Sequence, residues 1–236
     1  MAEDKAIVVQ GKRYPGITKT LQDVFYSNYK PPVKYRRKGR SVCSKERGDV
    51  IHRQLYHCFQ CLKVAQGACD CRKRYGKRTP NRSKTSLPVA LLREFLRKHH
   101  LEFWRGEMAV AWPELGLATY VDGVAKHRLT NRLYVLEFKT GYPRESRRRA
   151  SSILSVQDDC RMDRARHLLN CPYNHHQLQL WFGVEALRRT LGKEYQVEDG
   201  ILLYFDREGV DVEWHNHWRI HDAKGNTRFE EHLGKK

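Results

Sequence analysis

The stretch from Ala118 to Gly141, ATYVDGVAKHRLTNRLYVLEFKTG, limits what this chain can fold into more than any other. Two short apolar runs flank a polar turn, which is the pattern of a β-hairpin. Side chains along a strand alternate between faces. Glu137 and Lys139 therefore project to one side, and Leu136 and Phe138 to the other. If the two strands pair, Asp122 comes close to Glu137. A run such as LYVLEF otherwise reads as buried strand, so charges at its end need a chemical reason to be there. Two carboxylates are hard oxygen ligands that suit Mg2+ and leave coordination positions open for a phosphate. An ammonium beside them can hold a water molecule or offset charge on a phosphoryl group.

The rest of the chain reads as helices and strands around this hairpin. Thr18 is placed to cap a short helix containing Leu21, Val24 and Phe25. GDVIHRQLYHCFQCLK, from Gly48, has Ile51, Leu55, Phe59 and Leu62 at helical spacing, with His52 at the edge of the stripe and in line with Tyr56. Ser86 and Pro88 open a second helix with Leu91, Leu92, Phe95 and Leu96 inward. Strands are expected at about 107–112, 117–124 and 132–139, and helical structure over roughly 157–170. A long helix runs from Asn174 to about Thr190, with Gln177 and Trp181 four apart on one face. The strands ILLYF (201–205) and VDVEW (210–214) form a last hairpin. This order predicts an α/β fold: a mixed central β-sheet flanked by helices.

Charge narrows the partners. The 236 residues include 45 Lys and Arg against 27 Asp and Glu, a formal net charge of +18. The excess is clustered at Lys34–Arg40 (including Arg36, Arg37 and Lys38), at Arg72–Arg74, and at Arg147, Arg148 and Arg149. Such strips attract phosphate backbones without regard to sequence, so a nucleic acid is the expected partner. Tyr142, Tyr173 and Trp104 are aromatic candidates for stacking on unpaired bases. No run has transmembrane length and the first residues are too polar for a signal peptide, so an intracellular protein of cytoplasm or nucleus, with no membrane partner, is expected.

Four motifs in order resemble the RecB-like branch of the PD-(D/E)xK nucleases. They are Gly48-x-x-x-His52; Glu107 ahead of GLATYVDG with Asp122; LEFKTG with Glu137 and Lys139; and QLQLW, where Gln177 matches and Trp181 replaces the branch's Tyr. YPGITKTL is similar to the segment that precedes the core in single-strand-specific exonucleases of this branch. The resemblance implies a restriction-endonuclease-like core over residues 45–206. A basic segment (1–44) would precede it, and a strand with a polar tail (207–236) would follow. It implies Mg2+ or Mn2+ held by Asp122, Glu137, the backbone carbonyl of Phe138 and His52. Lys139 would act on the attacking water, and Gln177 would hold Lys139 or a DNA phosphate. On the residues alone, His52 is equally a half-buried histidine of an amphipathic helix, and Trp181 either stacks on a base or packs. The implied activity is hydrolysis of DNA phosphodiesters by an exonuclease or a flap-processing enzyme on single-stranded ends, with replication or recombination proteins as partners.

The seven cysteines are read as thiols or metal ligands for a reducing compartment. Cys58, Cys61, Cys69 and Cys71 form a Cys-rich insertion (58–71) with the makings of a Zn2+ site. An iron–sulfur cluster fits less well, because no cysteine follows Cys171. Two rival readings differ in class: a basic, zinc-stabilised nucleic-acid-binding protein without catalysis, and a nicking or sequence-specific endonuclease.

Overall fold

In the computed structural model the described residues are 6–25, 51, 52, 54–56, 87–140, 147, 171–205 and 210–214. The chain opens with a hairpin of β1 (Ile7–Val9) and β2 (Lys12–Tyr14). Its two turn residues, Gln10 and Gly11, both have positive φ (50° and 77°), as the tight turn matching strand twist requires. Helix α1 (Ile17–Phe25) follows, then helical residues 51, 52 and 54–56, and helix α2 (Leu87–Lys98). β3 (Leu101–Trp112), β4 (Leu117–His127) and β5 (Leu133–Thr140) form an antiparallel meander. Helix α3 (Pro172–Leu191) leads into β6 (Val197–Phe205), and β7 (Val210–Trp214) closes the described chain.

These strands make a five-stranded mixed sheet in the order β3-β4-β5-β6-β7. β5 and β6 are parallel, so the chain must cross over the sheet between them, and α3 lies in that crossover. β5 and β6 are buried on both faces, which is why LYVLEF and ILLYF read as continuous apolar runs. On one face Val121, Val135 and Leu202 pack against Leu178 and Phe182 of α3 and Phe25 of α1. On the other, Leu136, Phe138 and Leu203 pack against Leu92 and Phe95 of α2 and against Leu55. Because side chains alternate, Glu137 and Lys139 share the α3 face with Val135.

Helix α3 starts with Pro172 at its first position and ends at Gly192, whose N–H bonds the carbonyl of Arg188. Arg188 also donates to the carbonyls of Val197 (3.1 Å) and Glu198 (2.8 Å), fixing the helix end to the start of β6. The Thr190 hydroxyl accepts from Ala111 N at 3.0 Å, tying the same end to β3.

Several sequence expectations shift. β3 begins at Leu101 and not near 107, and β6 begins at Val197. α1 begins at Ile17, so Thr18 lies inside it; the chain is set up for the helix by Gly16, which bridges Ala118 of β4. Ile17, Leu21 and Phe25 of α1 are part of the core, and the expected boundary at 44/45 falls outside the described residues. The Cys-rich insertion, the expected helix at 157–170 and the polar tail fall outside the described residues. Among the described residues no helix is long and apolar enough to cross a membrane.

Candidate functional site

The β4–β5 ladder runs from Lys126↔Leu133 to Gly123↔Leu136 and stops there. One step further would set Asp122 opposite Glu137. The Asp122 side chain takes over that rung: Phe138 N donates to Oδ2 at 2.7 Å. The carboxylate is therefore fixed by the backbone of the strand that carries Glu137 and Lys139. The β3–β4 ladder is also interrupted here. Its pairs Gly106↔Gly123 and Met108↔Val121 leave Glu107 opposite Asp122 by count but unpaired with it. Glu107 has φ 39°, an unusual value for a residue with a side chain, and it marks a local distortion beside Asp122.

Two facing glycines bring His52 to the site. A Cβ on Gly123 would lie 2.6 Å from the Phe103 ring, and one on Gly106 would lie 3.0 Å from Tyr56. Their absence lets both rings lie on the sheet. Tyr56 is four residues beyond His52 and so shares its helix face. The ring resting over Gly106 sets the height at which His52 meets Asp122.

His52 Nδ1 lies 3.2 Å from Asp122 Oδ1, and Nε2 lies 3.1 Å from the Phe138 carbonyl oxygen. Both neighbours are acceptors, so both ring nitrogens are best placed as donors. Burial alone would lower the pKa of His52. The hydrogen bond and charge of Asp122, with help from Glu137, outweigh burial, and the net shift is upward. The placement between a carboxylate and a backbone carbonyl favours the imidazolium over the neutral ring.

Glu137 is buried, and its proton affinity is raised by burial first and by the Asp122 charge second. Lys139 and His52 pull it back down. Lys139 Nζ donates to Glu137 Oε1 at 2.7 Å and to Gln179 Oε1 at 2.8 Å. The ammonium is held by β5 on one side and α3 on the other.

The structure gathers Asp122, Glu137, Lys139, His52 and the Phe138 carbonyl. The glutamine on Lys139 is Gln179; the expected Gln177 is buried on α3, and its Nε2 has no hydrogen-bond partner among the described residues. Trp181 is not placed to stack on a base. It is 5% exposed and meets the Trp112 ring edge-on at 5.7 Å. Arg147 does not face a phosphate backbone either: it is 1% exposed, donates to Asp211 Oδ2 at 2.6 Å, and lies 3.8 Å over the Tyr204 ring. Tyr204 in turn sits 3.0 Å from His176 Nδ1. Arg36, Arg37, Lys38, Arg148, Arg149, Cys58, Cys61, Cys69 and Cys71 lie outside the described residues. Gly106, Gly123 and Gln179 went unnoticed in the sequence. The glycines carried one available signal, since each adjoins an acidic residue in sequence, Gly106 beside Glu107 and Gly123 beside Asp122.

Among the described residues no three His, Cys, Asp or Glu side chains form a ready-made metal cage. The donor set nevertheless fits a hard divalent cation. Two carboxylates and a carbonyl oxygen are the hard donors such an ion takes, and a cation there would offset the burial and the Asp122 charge that disfavour ionised Glu137.

No protein-family model and no curated protein matches this sequence. Among solved structures, the chain is similar to a crystal structure of SSO0001, at 14% identity and a TM-score of 0.27. The alignment covers 70% of this chain and 66% of that one, so this chain spans just under two thirds of its length. A likeness that slight carries no argument about fold or chemistry.

Proposed function

We propose that this chain is a metal-dependent nuclease of the PD-(D/E)xK type on a restriction-endonuclease-like core, hydrolysing DNA phosphodiesters and acting on single-stranded ends. The observation that carries this reading is the convergence of Asp122, Glu137 and Lys139, with Asp122 locked to the Phe138 amide and Lys139 locked between Glu137 and Gln179. Asp122, Glu137 and the Phe138 carbonyl would hold Mg2+ or Mn2+, with His52 as a further ligand once it gives up its proton. The ion would supply Lewis-acid polarisation of the phosphoryl group.

The side chains do the rest. Lys139 is pre-set by two acceptors, so it can orient the attacking water and offset charge on the phosphorane without reorganising. Its partly buried setting makes that charge worth more than it would be in water. As water adds to phosphorus, the bond to the leaving oxygen breaks, and the basic surface holds the strand in line. A pure binding module would have little use for a buried Glu137 whose ionised form is disfavoured.

The test is incubation of end-labelled single-stranded, duplex and circular DNA with Mg2+, Mn2+ or EDTA, beside Glu137→Gln and Lys139→Ala. Metal-dependent cleavage that both variants lose, with the circle spared, is the expected result. A wild type that binds DNA and cuts none with either metal would overturn the reading in favour of binding alone.

A further inference from the structure

The end of the sheet farthest from Glu137 and Lys139 carries a cation cluster that the proposed chemistry does not use. Two turns meet there. After α2, His99 N donates to Phe95 O (3.1 Å) and His100 N to Arg97 O (3.3 Å) as the chain turns into β3. The turn between β4 and β5 is closed by His127 N to Arg132 O and Asn131 N to His127 O, both 2.8 Å. The Thr130 amide and hydroxyl both lie on His127 Nδ1, at 3.2 and 3.1 Å. Arg128 N donates to His100 O at 2.9 Å and clips one turn to the other. Arg97, Lys98, His100 and Arg128 are exposed on this one backbone frame, with Lys126 and His127 half-buried behind them.

The charges are not absorbed locally. Arg132 is committed to Glu198 at 3.0 Å, but Arg97, Lys98 and Arg128 make no ion pair among the described residues. The nearest carboxylates by position are Glu102, opposite Lys126 in register, and Glu94, one helical turn before Lys98. The His99 pKa is lowered by burial and then by the charges of Lys98 and His100, consistent with a positive field at this end. A helix dipole accounts for basic residues in the last turn of α2, but not for Arg128 on a β-turn thirty residues later. Leu129, 78% exposed at the turn tip, adds an apolar contact beside Arg128.

We propose that this clipped pair of turns is a second contact for a nucleic-acid phosphate backbone, separate from the Asp122–Glu137 site. The inference rests on the nucleic-acid part of the reading above, and not on catalysis. Six residues of β5 separate Leu133 from Lys139, about 20 Å at 3.3 Å per residue, or about six base pairs of duplex. A duplex engaging both places must be at least that long, and a single strand must span the same distance.

The experiment measures binding of a fluorescently labelled 30-nucleotide DNA to the full chain, in EDTA, from about 50 to 200 mM salt. It compares wild type with the exposed double variant Lys98→Ala/Arg128→Ala and with the charge-keeping Lys98→Arg/Arg128→Lys. The alanine variant is expected to bind about tenfold more weakly at low salt, with the slope of log K against log salt reduced by about one to two. The charge-keeping variant should retain the wild-type slope. An unchanged slope in the alanine variant, or no DNA binding by wild type, overturns the proposal. If polyglutamate displaces the DNA as well as unlabelled DNA does, and only when Lys98 and Arg128 are intact, the surface takes an acidic polypeptide and the proposal also fails. Cleavage of a short dinucleotide phosphodiester, run in parallel with metal, reports on the catalytic reading alone: a lost slope with no cleavage leaves the surface standing and removes the enzyme.

Discussion

Gln177 and Gln179 stand two residues apart on α3, and only Gln179 is seen to bond the Lys139 ammonium. Gln179→Ala should lower kcat about tenfold with little change in KM, because it loosens a pre-set cation. Gln177→Ala should leave kcat within about twofold. Steady-state kinetics on both variants decide between them, and the reverse order would return the role to Gln177. The choice was not legible in the sequence. α3 is buried almost all round, so its apolar residues define no single inward stripe from which to read the rotation of the helix. Glu137 and Lys139 were legible because period-2 alternation assigns their shared face, and Asp122 because the polar turn implies that its strand pairs with theirs. The same helix sets a pH limit. His175 is pushed down to about 4 by burial, and His176 is pushed well down by burial and then by the Lys139 charge. A histidine with a depressed folded pKa takes its proton only on unfolding once the pH drops below about 6.5, so stability is full above that value and falls below it. The slope is at most about 1.4 kcal/mol per pH unit for each such histidine. Between pH 7 and 5 the raised pKa values of Glu137 and His52 act in the opposite sense, so the comparison with His176→Asn is what isolates the effect: wild type should lose more Tm, or gain less, than the variant, and equal changes would rule out His176 as a source.

At the scale of elements, close approach of α3 to β6 depends on Gly200. A Cβ there would lie 2.5 Å from Leu180 Cγ and no more than 2.8 Å from either δ-carbon, so the branch point of the leucine itself would have to move. Gly200→Ala should cost about 1–3 kcal/mol by overpacking. In a chain of this size that lowers Tm by roughly 2–4 °C per kcal/mol, measured by thermal melting. Adding Leu180→Ala should cost less than the two single losses together, since each change relieves the other's fault. The existence and order of the elements were largely readable, and their edges were not. The strand was expected only from about 107, since Glu102 and Arg105 break up the apolar pattern ahead of it. In the structure these two lie exposed on an edge strand, where only one face needs to be apolar. The β1–β2 hairpin was missed for a related reason: three-residue strands are too short to show a period, and only the Gln10-Gly11 turn gives them away.

The whole molecule is closed by contacts between its two halves. Phe25 is fully buried in the core that includes α3, so Phe25→Ala should cost about 3–5 kcal/mol, read as a drop in the denaturant midpoint. A cost under about 1 kcal/mol would mean that residues 6–25 are an appendage after all. Gln10 Nε2 donates to Thr190 O at 3.2 Å, and α1 packs on α3. This long reach has a consequence in time. A ribosome makes Asp122, Glu137 and Lys139 before it makes the helix carrying Gln179, and α1 emerges more than a hundred residues before the helix it docks on. The first-made helix must wait exposed until nearly the whole described chain is out, and closing so wide a loop is slow. The nascent chain therefore holds Lys139 without the Gln179 that fixes it, and the site is completed only as synthesis passes α3.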